Sequence, residues 1–171
     1  MKRKLIYVVA FCCLLLADRS SFAQTFEVPK QVKLEQKEDY KKYEQDVVQA
    51  ADWLVATDLD METVKRRQIS AFLIKWLSGT PDITIDIHPG ISNLYGDNTE
   101  LMLIYMATYG KYYIQHKDAQ QPDAIKAAVE AMITVYKKGT RIEANPEMDK
   151  LIAMDAAKKD QYIRKNLILK P

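Results

Sequence analysis

Two carboxylates and an imidazole share the short run Asp82-Ile83-Thr84-Ile85-Asp86-Ile87-His88. In an extended conformation side chains alternate between two sides, so Asp82, Thr84, Asp86 and His88 form one row and the three isoleucines the other. Successive members of that row stand about 6.6–6.8 Å apart. From it, Asp86 and His88 could hold a divalent ion with a third ligand from elsewhere, or work as a base oriented by an acid. Tyr95 and Asp97 close the same stretch. The plainer reading is a packed connector, with isoleucines against a core and polar residues left to water. A single D-x-H pair does not outweigh it, so no catalytic residue and no metal ligand is assigned.

The other candidates divide in the same way. Tyr105, Tyr109 and Tyr112 fall on one helical face and could stack on a sugar or grip a peptide; tyrosines so spaced more often belong to a core with hydroxyls at its rim. Asp58-x-Asp60-x-Glu62 resembles the opening of a calcium loop, but Thr63 stands where the sharp-turn glycine belongs, and helix capping accounts for it better. His116 reads as a helix-end residue. There is no G-x-S-x-G elbow, phosphate loop, G-x-G-x-x-G or H-E-x-x-H, and no sign of haem attachment. Nothing here requires a cofactor.

The elements that must position these residues read as helices. Tyr40, Tyr43, Val47, Ala50 and Leu54 mark a first helix near Glu38–Thr57, and Ile69, Phe72, Leu73, Trp76 and Leu77 a second near Met61–Ser78. Gly79 and Pro81 end it. Residues 79–98 hold the densest set of helix breakers in the chain, with Gly79, Gly90, Gly96, Pro81 and Pro89. Asp97 and Glu100 then offer a capping box for a third helix. Its run Leu101–Gly110 carries no charge, which predicts burial nearly all round and a central place in the fold. A fourth helix starts at Pro122, with Ile125, Ala128, Val129, Met132 and Tyr136 on one face, and a fifth at Pro146. The expectation is an all-α single domain over residues 37–171, of about five helices. Two antiparallel helical hairpins would be joined by the long extended connector 79–98.

The amino terminus reads as a targeting segment. Met1–Lys4 is basic, Leu5–Ala17 is apolar, and Ser21-Phe22-Ala23 places small residues at the −3 and −1 positions of a cleavage site. The apolar run of about 13 residues is too short for a stable transmembrane anchor. Cleavage after Ala23 would remove a signal peptide, residues 1–23, and leave residues 24–36 as a flexible arm. The full chain has 25 basic and 23 acidic residues, a net charge of +2. Loss of Lys2, Arg3, Lys4, Arg19 and Asp18 leaves 21 and 22, a net charge of −1. A near-neutral mature chain gives no reason to invoke nucleic acid. Both cysteines, Cys12 and Cys13, leave as well, which excludes disulfides, thiolate ligands and a cysteine nucleophile.

Taken together, an export signal ending Phe22-Ala23-Gln24, Phe72–Leu77 before a Pro-Asp and alternating isoleucines, then Leu101–Met106, resembles small exported helical proteins of Bacteroidetes-type bacteria. The resemblance implies a periplasmic or secreted location and a helical fold, and supplies no catalytic residue. The expected function is a non-enzymatic binding or interaction module whose partner is another protein or an envelope component. Its binding groove would lie between the hairpins, under the connector. The alternatives are a small metal-dependent or hydrolytic enzyme using Asp86 and His88, and a self-associating envelope structural protein.

Overall fold

The structure, a computed structural model, describes residues 26–168; the expected signal peptide lies outside them. Among the described residues there are eight helices and no strand. They are α1 (Lys37–Lys42), α2 (Glu44–Ala56), α3 (Thr63–Leu77), α4 (Pro89–Tyr95), α5 (Thr99–Gln115), α6 (Gln121–Tyr136), α7 (Pro146–Ile152) and α8 (Ala156–Asn166). The all-α expectation holds. The expectation of five helices with an extended connector does not.

Three local causes account for the additional helices. The expected first helix breaks at Tyr43, whose φ of −103° and ψ of 4° leave the helical basin between α1 and α2. Inside the expected connector, Pro89 starts a helix rather than blocking one. It occupies the first turn, where a missing N–H costs nothing, and Ile91 and Leu94 point inward and are buried. Past α7, Asp155 caps a separate α8, its Oδ1 accepting from the Lys158 N–H at 2.9 Å.

Helix α5 is the centre of the body, packing against α2, α3, α4 and α6. Leu101, Leu103, Ile104, Tyr105, Ala107, Tyr109 and Gly110 are buried along it, as the uncharged run requires. Gly110 marks the close approach of α3: a Cβ there would stand 2.9 Å from Leu77 Cδ2. Trp53, Leu54, Ile69, Leu73 and Trp76 fill the space between α2, α3 and α5. The stretch read as a flexible arm is, from residue 26 on, laid against this core. Phe26 is buried, Val28, Val32 and Leu34 pack on the body, and Lys75 Nζ donates to the Val32 carbonyl at 2.7 Å.

Candidate functional site

The residues of the Asp82–His88 row go separate ways. Asp82 is exposed and paired with Lys37 at 2.5 Å, a contact that pulls its carboxyl below the usual range. Asp86 is half-buried and accepts from Gln121 Nε2 at 3.1 Å. His88 caps α4, its Nδ1 accepting from the Gly90 N–H at 2.9 Å. Tyr95 donates to Ser92 Oγ at 3.3 Å within the same helix. Ile83 and Ile85 pack on the core, but Ile87 is exposed, so the predicted alternation fails after Asp86. Among the described residues no three His, Cys, Asp or Glu side chains gather as a metal site. Asp82, Asp86, His88 and Tyr95 each have a structural partner.

The tyrosine face is sealed rather than open. Tyr105 and Tyr109 are buried, and burial, reinforced at Tyr109 by Tyr113 and at Tyr105 by Asp86, pushes both phenols far above their ordinary pKa. Their ring centroids lie 6.1 Å apart, and Tyr113 continues the row at 5.1 Å from Tyr109. Tyr112 is half-buried and stacks on His116 at 4.4 Å. A sugar has no face to stack on at Tyr105 or Tyr109.

A different place collects unmatched polar groups. Thr63, Arg66, Arg67, Ser70, Ala71 and Ile74 form one stripe of α3, at the helical spacing that puts side chains on a common face. With Leu59, Glu100 and Arg141 they line a cleft of about 710 Å³, within the usual size range of ligand sites. Glu100 reaches it from the first turn of α5, and Arg141 from the turn after α6.

Arg66 is the buried charged member, only 4% exposed. Its Nη2 donates to the Thr57 carbonyl at 2.6 Å and the Asp58 carbonyl at 3.2 Å, closing the end of α2. Lys138 does parallel work there, donating to the carbonyls of Val55 and Ala56 at 3.0 and 2.7 Å. The Arg66 guanidinium also lies 5.3 Å from the centre of the Trp53 ring. Two of its nitrogens, Nε and Nη1, are buried and have no partner, and neither does Glu100 Oε2. Burial lowers the arginine's pKa, with Glu100 and Asp58 opposing the shift, so the carboxylate is felt but not bonded. Leaving a buried donor or acceptor unpaired costs about 1–3 kcal/mol, and more for a charged one.

Backbone strain borders the same cleft. Arg141 has φ of +55°, and Glu62, which precedes Thr63 at the start of α3, has φ of +45°. For residues with a side chain this left-handed region costs about 1–2 kcal/mol each. Such strain often marks functional places.

Sequence reasoning missed this site because it gave Glu100 a different task and Arg66 none. Glu100 was expected in a capping box with Asp97, yet α5 has no side-chain cap; Asn98 instead exchanges hydrogen bonds with the Glu143 backbone at 3.2 and 2.8 Å. Beside the apolar stripe that was read on α3, Thr63, Arg66, Arg67, Ser70, Ala71 and Ile74 stand at helical spacing in the sequence. What the sequence lacked was the pairing of these residues with the first turn of α5. No protein-family model matches the chain, and no match was found among curated proteins or solved structures.

Proposed function

We propose that this protein is an exported, non-enzymatic binding module, and that its ligand sits in the α3–α5 cleft through an anionic group. The observation that carries the reading is the buried guanidinium of Arg66, with two unpartnered nitrogens, beside the unpartnered Glu100 carboxylate oxygen. Arg67 and Arg141 add positive charge at the mouth. Guanidinium groups stay charged and match carboxylates and phosphates with a rigid fork of donors. Nothing in the cleft resembles a nucleophile with its base: Ser70 Oγ donates to the Arg66 carbonyl at 2.8 Å and has no histidine beside it. Export rests on the basic, apolar and small-residue pattern of residues 1–23.

The test uses the chain from Gln24 onward, which contains every described residue. Its thermal midpoint would be followed against inorganic phosphate, citrate and glutarate, beside Arg66→Lys and Arg141→Ala. A ligand at 100 times its Kd adds about 2.7 kcal/mol, which is readily seen as a rise in midpoint. The rise should shrink in both variants. Equal rises in all three proteins, or none with any anion, would remove the cleft as the binding place.

A further inference from the structure

The cleft asks for more than an anion. Its polar surface is mixed: three arginines supply donors only, while Glu100 presents an acceptor that none of them engages. An anion alone would satisfy Arg66 and leave the buried Glu100 oxygen facing a second negative charge. A cation alone would do the reverse. The wall beside these groups is apolar, built by Leu59, Ala71 and Ile74.

Resting on the anion-binding reading above, we propose that the ligand is an amino-dicarboxylate: a small molecule with two carboxylates and one ammonium group. The ammonium donates to Glu100, one carboxylate meets Arg66, and the second reaches Arg67 and Arg141 at the open side. Each charge of the ligand then meets an opposite one: three arginines and one glutamate carry +2 against the ligand's −1, and the remaining positive charge lies at the open side, where Arg67 and Arg141 are exposed. The methylenes between the ligand's charges lie along Leu59, Ala71 and Ile74. A water molecule could bridge Arg66 and Glu100, having both donor and acceptor, but it leaves the arginine charge unbalanced. That makes a bridging water the competing occupant.

Matched probes separate the possibilities. Glutamate and glutarate have the same two carboxylates on the same carbon chain and differ in the ammonium. Titration calorimetry on the wild-type chain should show glutamate at least tenfold tighter than glutarate. In Glu100→Gln that preference should fall to about onefold, with glutarate binding as well as before or better, because a like charge has been removed. In Arg141→Ala, an exposed position whose loss leaves the core untouched, both probes should weaken together. The thermal midpoint of Glu100→Gln checks that it is folded.

Glutarate equal to or tighter than glutamate in the wild type would overturn the ammonium site and leave the anion site standing. Glutamate preference unchanged in Glu100→Gln would also overturn it, placing the ammonium elsewhere. Neither probe binding, with phosphate and citrate silent too, would overturn both readings and leave the bridging water as occupant.

Discussion

The 79–98 segment and the α3–α5 cleft make opposite use of polar residues. In the first, Asp82, Asp86 and His88 belong to a row that looks ready for chemistry, with Tyr95 closing the stretch, and each of the four has its own partner. In the second, Arg66 and Glu100 come from separate helices, were not grouped by any motif, and keep buried polar atoms unpaired. The difference teaches that spacing along a strand says which side chains share a side, not whether they are free. A group already engaged by a neighbour holds the fold together; an unpaired buried group can serve a ligand only where its residue lines a cleft, as Arg66 and Glu100 do and Tyr105 does not.

The contrast breaks most visibly at Arg66. Arg66→Ala removes two hydrogen bonds to the end of α2 and leaves Glu100 without its nearest buried countercharge. Loss of one partner of a buried charge arrangement should cost about 3 kcal/mol, measured by urea unfolding. A cost below about 1 kcal/mol would place Arg66 among ordinary surface charges and erase the distinction.

The second region is sharpened by Gly90→Ala. A Cβ at Gly90 would sit 2.6 Å from the Asn166 carbonyl oxygen and 2.7 Å from Leu167 Cδ2. The backbone oxygen cannot swing aside, so the substitution should cost about 1–3 kcal/mol and should leave ligand binding in the cleft unchanged. If binding changed with it, the two regions would be coupled rather than opposed.

How far each region was legible follows from the kind of information involved. The burial of α5 was visible because ten uncharged residues have only one stable environment. The helix α4 was not, because Pro89 reads as a breaker until it is placed in a first turn, where it starts a helix. The break at Tyr43 leaves no mark in composition at all, since Tyr40, Tyr43 and Val47 keep a helical spacing straight through it. Arg66 and Glu100 lie 34 positions apart, and only tertiary packing brings them to one cavity.

Between the two regions, the buried tyrosines give a test in pH. In the unfolded chain a phenol ionises near its ordinary pKa of about 10. Tyr105 and Tyr109 hold their protons well above that in the folded state, mainly because of burial. Above pH 10 the unfolded state therefore binds fewer protons, and stability falls as pH rises, by up to about 1.4 kcal/mol per pH unit for each such phenol. Tyr105→Phe should remove one phenol's share of that slope. At neutral pH it should be neutral or stabilising by about 1 kcal/mol, because the buried Tyr105 hydroxyl has no partner to lose. An unchanged alkaline slope would mean that the Tyr105 hydroxyl reaches water after all.

The smallest expected effect is the most pointed, since it concerns the residue that looked most reactive. His88 accepts the Gly90 N–H through Nδ1, and that bond starts a helix of only seven residues. Replacing a helix cap with alanine costs about 1 kcal/mol. His88→Ala should lower stability by that amount, while His88→Asn, which can still accept the same N–H, should recover most of it. Neither should alter the Kd for glutamate or glutarate, because His88 is not among the residues lining the cleft. The pair of variants separates two roles that a single alanine cannot. A cap is rescued by any short side chain with an acceptor at the right reach, whereas an acid–base group or a metal ligand is not. Binding that failed in both variants, with stability restored in the asparagine, would return chemistry to the row at 82–88 and reverse the comparison.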